Sequence, residues 1–250
     1  MNDWSDAQDA HLDPVVAAAY DRSTAEEFRP EVIRATVDLL AQLAGDGRAL
    51  EFAVGTGRIA LPLSERGVSV SGIDLSVPML DRLRAKPGAE LVNTTVGDMT
   101  TTVVGDGFSM VYLVYNTIHN LLSQDDQVEC FRNAARHLGP GGCFVIQTMV
   151  PEIGRLGPGE RYVPFDVSAT HLGFDEYVDP VNQILVSHHY HIDGDRVRTS
   201  SPAFRYVWPS ELDLMAKLAG MTLAERWADW DRSPFTGESP AHVSVWRTAA

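Results

Sequence analysis

Hydrophobic and polar positions along this chain switch repeatedly between strand and helix periods. Residues 49–63, ALEFAVGTGRIALPL, start as an apolar run of strand character, pass through two glycines two residues apart, and resume at helical spacing. Short runs of β-formers recur at 69–74, 89–96, 108–114 and 142–148, each bounded by Gly, Asp or Pro. Helical stretches lie between them. The clearest starts at Ser123, a residue suited to an N-cap, and carries Val128, Phe131, Ala135 and Leu138 at steps of three and four before GPGG stops it. Ahead of the first strand, residues 30–43 space Val32, Ile33, Val37, Leu40 and Leu43 as a covering helix. This alternation predicts a doubly wound α/β fold, a mostly parallel sheet with helices on both faces, whose ligands bind at the carboxyl ends of the strands.

Beyond residue 154 the pattern turns to extended runs. QILVSHHYHIDGDRVRTSSPAFRYVW reads as two strands joined across Asp193-Gly194, with ERYVPFDV and FDEYV upstream as further short strands. An antiparallel patch is therefore inserted after the fifth parallel strand. Residues 209–220 return to helix, with Leu212, Met215 and Leu218 on one side, and 222–227 and 242–246 read as closing strands. No internal repeat or low-complexity linker divides the chain, so one domain over 1–250 is expected.

Composition narrows the function. With 20 Lys+Arg against 34 Asp+Glu, the formal net charge of −14 opposes phosphate backbones and anionic lipid, so neither nucleic acid nor membrane is expected as a partner. The segment MNDWSDAQDAHLDP has no cationic stretch followed by an apolar one, and nowhere do eighteen apolar residues run together. A soluble cytoplasmic protein is expected. Cys130 and Cys143 fall in a predicted helix and strand without metal-type spacing, which fits a reducing compartment.

The glycines carry the candidate chemistry. GTGRIA satisfies G-x-G-x-x-G/A, and Asp74 ends the next strand 19 residues after Gly55, where it could grip a ribose hydroxyl. That pattern alone admits an NAD-dependent oxidoreductase. Glu51, four residues before Gly55, favours a different ligand, because a carboxylate there repels a pyrophosphate and suits an ammonium and a sulfonium. VGDM, residues 96–99, ends the third strand with an acid able to accept from an adenine amino group, and LGPGG turns into the fifth strand.

With LEFAVGTGR, GIDLS, VGDM, NTIHN and LGPGG in that order, the chain from about Tyr20 onward resembles a class I S-adenosylmethionine-dependent methyltransferase of the small-molecule kind. The resemblance implies a Rossmann-like, seven-stranded sheet whose last strand runs antiparallel. It also implies a cofactor site in which Glu51 faces the methionyl amino group, Gly55 and Gly57 line the cofactor, Asp74 holds the ribose hydroxyls, and Asp98 with Met99 frames the adenine. Ala53 stands where the family usually has glycine. Arg58 is a candidate for the cofactor's carboxylate, Leu75 and Met79 for its adenine side, and Tyr20 is similar to a tyrosine that closes over the cofactor in related enzymes. The domain then divides into covering helices at 1–48, a cofactor-binding core at 49–153, an antiparallel acceptor lid at 154–208, and a closing helix and strands at 209–250.

Methyl transfer from a sulfonium by in-line displacement depends chiefly on holding and desolvating the acceptor. YNTIHN lies where cofactor and acceptor would meet, which makes Tyr115 and Asn116 candidate cofactor contacts and His119 the candidate base. In HHYH, His189 and His191 share one strand face, but no third ligand with supporting spacing follows, so no metal is expected and His189 is read as a second catalytic candidate, lining the acceptor pocket. Tyr162, Phe165, Phe174, Tyr177, Phe204, Tyr206 and Trp208 enrich the inserted strands in aromatic rings. Such a patch suits an acceptor pocket and a homodimer interface alike. The function expected is methyl transfer to oxygen, nitrogen or carbon of a small metabolite, leaving S-adenosylhomocysteine; the alternatives are the NAD oxidoreductase and a protein that binds adenosylmethionine without transferring its methyl group.

Overall fold

The computed structural model describes residues 12–249; residues 1–11 and 250 of the expected domain lie outside the described residues. Two helices come first, α1 (Pro14–Ser23) and α2 (Pro30–Ala44), each with a proline in its first turn, where the missing N–H is no loss. α2 stops at Gly45, whose φ of 55° suits a residue without Cβ. Alternation follows as the periodicity predicts: β1 (Arg48–Phe52), α3 (Ala60–Glu65), β2 (Ser69–Asp74), α4 (Val77–Arg84), β3 (Val92–Val96), β4 (Phe108–Leu113), α5 (Gln124–His137) and β5 (Leu138–Met149). The Ser123 hydroxyl caps α5 by accepting from Asp126 N–H at 3.0 Å, as its sequence position suggests. Two boundaries differ: Leu138, read as the end of the helix that starts after Ser123, opens β5 instead, four residues before the expected strand start at 142. The run read as a strand from residue 89 forms a 3-10 turn over Ala89–Leu91 after left-handed Gly88 (φ 80°), and pairing begins only at Val92.

After β5 the chain builds β6 (Tyr162–Val167), β7 (His171–Asp179), β8 (Ile184–Asp193), β9 (Arg196–Ser200) and β10 (Ala203–Arg205). It closes with α6 (Pro209–Leu218), β11 (Met221–Trp227) and β12 (Ala241–Thr248). The main sheet has seven strands in the order β11-β12-β5-β4-β1-β2-β3, with β12 antiparallel to both of its neighbours. The second sheet runs β10-β8-β7-β6 with β9 also on β8, and all its pairings are antiparallel. Among the described residues no helix is long and apolar enough to cross a membrane.

Strand alternation sorts the main-sheet core into two layers. Ala49, Met110, Tyr112, Cys143 and Val145 face α2 and α3, whereas Leu50, Phe52, Val111, Leu113, Phe144 and Ile146 face α5 and α6. In the second layer Phe131 meets Phe144 and Trp246 edge-on, with ring centroids at 5.0 and 5.3 Å. Sheet order leaves the carboxyl ends of β1 and β4 side by side, and their outgoing loops part to opposite sides. That crevice is where an open parallel sheet takes its ligand.

Gly72 lets the first loop settle there. Its backbone lies so near Val54 that an added Cβ would stand 2.7 Å from the valine Cβ, and Val54 N–H donates to Ile73 O at 3.0 Å. Gly72→Ala is therefore expected to cost about 1–3 kcal/mol by overpacking, read from urea unfolding. A Gly72→Ala protein as stable as the wild type would contradict this account of the loop.

Candidate active site

The loop after β1 is shaped by backbone conformation before any side chain acts. Ala53 and Gly55 take φ of 52° and 55°, in the left-handed region. Ala53 thus holds a conformation for which glycine is better suited, at a strain of roughly 1–2 kcal/mol. An added Cβ on Gly55 would meet nothing closer than Ala53 O at 3.9 Å, so the loop presents open backbone. The Asp74 carboxylate fastens it: Gly55 N–H donates to Oδ2 at 2.6 Å, and Ser76 N–H to Oδ1 at 2.8 Å. Charge-assisted bonds of this length are among the stronger ones. A second clip brings α1 down on the same loop, since Thr56 Oγ1 donates to Asp21 at 2.5 Å and Lys86 Nζ reaches both Asp21, at 2.5 Å, and Thr56 O, at 2.8 Å.

Between loop, helices and second sheet lies a cavity of about 590 Å³. Its size falls within the usual range for small-molecule sites. One wall comes from Tyr20, Ala53, Gly55, Asp74, Leu75, Ser76, Met79, Asp98 and Met99; the other comes from Thr117, Asn120, Leu121, Leu122, Ser123, Asp126 and residues 202–204. Eight of the predicted cofactor residues thus meet at one cavity. Asp98 also anchors its own turn, accepting from Thr100 N–H and Oγ1, both at 2.7 Å. Asp74, Asp98 and Asp126 are the ionisable carboxylates of the wall, and no Lys, Arg or His lines it among the described residues.

Other predicted residues stand behind this surface. Gly57 faces Leu83, whose Cγ would lie 2.9 Å from an added Cβ, so its place is loop-to-helix packing rather than the cavity wall. Arg58 lies over the Tyr115 ring at 5.3 Å and donates to Glu27 O at 3.2 Å. Tyr115 and Asn116 form a left-handed pair, φ 58° and 59°, held by Tyr115 N–H donating to Gln147 Oε1 at 2.6 Å and Met149 N–H to Asn116 Oδ1 at 2.7 Å. Glu51 is buried beneath the loop, where it accepts from the Tyr112 hydroxyl at 2.9 Å. Burial raises its carboxyl to about 8, against smaller opposing effects of Tyr112 and Arg58. No Lys or Arg pairs with it among the described residues. Its site suits a ligand cation better than a pyrophosphate.

The two predicted catalytic histidines do not reach the cavity. In the turn Thr117–Asn120, residues three apart share the outer side: Thr117 and Asn120 line the cavity, while Ile118 and His119 point into the core. His119 Nε2 meets Thr148 Oγ1 at 3.0 Å, and burial lowers its pKa to about 4. It is a packed neutral histidine. His189 also lies away from the wall, on β8, with its pKa lowered to about 4 by burial and by His171 and His191. Of the aromatic patch only Phe204 lines the cavity. Tyr177 and Tyr206 instead fill a small core of the second sheet, and Tyr162 and Phe165 are exposed.

Sequence reasoning missed the network that positions the second wall. Gln127 Nε2 donates to Ile118 O, Leu121 O and Arg205 O at 3.1–3.2 Å, and Arg205 bonds back to Gln127 Oε1. Arg205 also pairs with Glu211 at 2.8 Å and with Gln183 at 2.9 Å, tying the second sheet to α5 and α6. No local pattern announces partners 78 residues apart.

Comparisons with known proteins agree with this geometry. The methyltransferase-domain family matches residues 49–142. The structure is similar to that of the CcbJ methyltransferase from Streptomyces caelestis, with a TM-score of 0.85 and 37% identity over 97% of this chain and 99% of that one. A cypemycin N-terminal methyltransferase from a Streptomyces species is 28% identical, with 78% of this chain and 80% of the relative covered. CalS10, an amino pentose methyltransferase of calicheamicin biosynthesis from Micromonospora echinaspora solved with its cofactor, shares the fold at a TM-score of 0.68 and 20% identity, with 92% of this chain and 96% of that one covered. Nothing in these findings supports an oxidoreductase. The chain belongs to the class I S-adenosylmethionine-dependent methyltransferases.

Proposed function

We propose that the acceptor is a small molecule methylated on an amine nitrogen, and that the cavity's two walls divide the work. The observation that carries this reading is the charge of the acceptor-side wall: Asp126 stands there, and no Lys, Arg or His lines the cavity among the described residues. Such a surface attracts an ammonium and repels a carboxylate or phosphate. The calicheamicin and cypemycin enzymes, whose names specify an amino sugar and an N-terminus, point the same way.

The wall from Tyr20, Ala53, Gly55, Asp74, Leu75, Met79, Asp98 and Met99 holds the cofactor. Asp74 takes the ribose hydroxyls, Asp98 and Met99 the adenine, and Glu51 beneath the loop the methionyl ammonium. When bound, adenosylmethionine supplies an electrophilic methyl group on sulfur. Thr117, Asn120, Asp126 and Phe204 then orient the amine and exclude water from its approach. The second sheet serves as a lid over a single domain, because Ala203 and Phe204 on β10 line the cavity. No histidine or lysine lines the wall among the described residues to take up the amine's proton. The amine must therefore arrive neutral or lose its proton to solvent.

Three outcomes are expected. Asp74→Ala should weaken S-adenosylhomocysteine binding by about 2–4 kcal/mol, since it removes charged hydrogen-bond acceptors, whereas Asp126→Asn should leave that affinity unchanged and raise the KM for an amine; calorimetry and steady-state kinetics read the two. Equal cofactor affinity in wild type and Asp74→Ala would remove Asp74 from the site. Glu51, held at about 8, is mainly protonated at pH 7. A cation placed beside it lowers its pKa, so cofactor binding at pH 7 should release up to about one proton. Calorimetry in buffers of different ionisation enthalpy measures this, and a release unchanged in Glu51→Gln would contradict it. Finally, for a panel of amines, kcat/KM should rise with pH up to each amine's own pKa and should survive His119→Asn. A plateau set by one enzyme group for every amine would show that a base acts after all.

A further inference from the structure

We propose that His171, His189 and His191 form a transition-metal site of the zinc class on the second sheet, apart from the cofactor cavity. The sequence supplies two of these histidines at strand spacing and hides the third. Antiparallel pairing of β7 with β8 sets His171 opposite His191 and Gly173 opposite His189, so three imidazoles converge from two strands. One ring nitrogen of each lies within 4.8 Å of the others, and all three side chains are half-buried.

The hydrogen bonds around the cluster are those of ligating histidines. His171 Nδ1 is held by Asp166 Oδ2 at 2.6 Å, which turns its Nε2 toward His189 Nδ1 at 3.1 Å. His189 Nε2 is in turn engaged by Ser187 Oγ at 3.2 Å. Each of these two rings therefore has its outer nitrogen occupied and its inner nitrogen facing the other ring's; the His191 ring stacks on His171, with centroids at 4.5 Å and planes 13° apart, and turns about its side-chain bonds to bring a nitrogen to the ion. A carboxylate behind a metal-bound imidazole is the common arrangement for fixing its tautomer. A tetrahedral zinc with Zn–N bonds of about 2.0–2.1 Å holds its nitrogens roughly 3.3 Å apart, close to the 3.1 Å between His171 Nε2 and His189 Nδ1. The surroundings are shaped to match. The Phe165 ring packs beside His171 and His189, with centroids at 6.1 and 5.3 Å, and it lies where a Cβ on Gly173 would stand, 2.2 Å from Phe165 Cε2.

Three imidazoles leave a fourth position for water. The ion would fasten β7 to β8 rather than take part in methyl transfer. His189 lies four residues along β8 from Leu185, the partner of cavity-lining Phe204, and four strand residues span about 13 Å. A proton between the two facing nitrogens accounts for the same 3.1 Å separation, and metal titration distinguishes the two.

The test uses the full chain, stripped with a chelator and titrated with Zn2+ alone in a calorimeter, followed by Co2+ spectroscopy. Expected are one equivalent of Zn2+ bound with a Kd of about 1 μM or below, visible Co2+ bands of low-symmetry intensity, and a raised Tm. His189→Ala and His171→Gln should abolish stoichiometric binding. Asp166→Asn should weaken it by roughly 10–100-fold while the ligands remain. His188→Ala removes a histidine on the opposite face, bonded to Glu176 and Ser201, and should bind as the wild type does. The proposal is overturned if the wild type takes up no zinc at one equivalent, or if His189→Ala and His188→Ala bind alike.

Discussion

The bond from Gly55 N–H to the Asp74 carboxylate, 2.6 Å long, joins the first two parallel strands at their carboxyl ends. Much of the site's geometry follows from it. It needs β1 and β2 side by side, Gly72 bare beneath Val54, and left-handed backbone at Ala53 and Gly55. It holds a charged side chain at the margin of a cavity by giving it amide donors, which offsets much of the loss of hydration. With the loop fixed, α1 can dock on it through Asp21, Thr56 and Lys86, and Tyr20 is carried to the cavity.

Glu51 is the counterpart of Asp74 with the opposite balance. Asp74 has backbone amides to stabilise its charge; Glu51 has one neutral hydroxyl and a buried setting, so its proton is retained to about pH 8. A carboxyl held up by desolvation answers to whichever cation enters beside it. The Gln127–Arg205–Glu211 network does comparable work for the other wall, with every charged member paired. One wall is thus preset by hydrogen bonds while the other carries a titratable group that a ligand can shift.

Much of this was legible in the sequence, for reasons that can be stated residue by residue. Period and punctuation expose the parallel strands and α5, because each buries a face and is bounded by a cap or a glycine. Ala53, Gly55, Asp74, Asp98 and Met99 could be grouped from the sequence because the loop after β1 and the ends of β2 and β3 are contiguous stretches with fixed spacing, and the structure brings them to one cavity. His119 misled because residue type says nothing of direction: in a single 3-10 turn it points inward, while Thr117 and Asn120 point out. Gly57 misled in a similar way, since glycine serves close packing as readily as ligand approach. The third imidazole, His171, and the pairing of Arg205 with Gln127 were invisible because cross-strand register and tertiary contact bring them in from 18 and 78 residues away.

The most direct test of the division between the two walls is a crystal structure of the protein with S-adenosylhomocysteine. The account predicts ribose hydroxyls on the Asp74 carboxylate, adenine between Met79 and the Asp98–Met99 turn, and the homocysteine ammonium directed toward Glu51, leaving Asn120, Asp126 and Phe204 facing open space for an amine. Adenosine seated against Asn120 and Asp126, with no contact from Asp74 to the nucleoside, would contradict it.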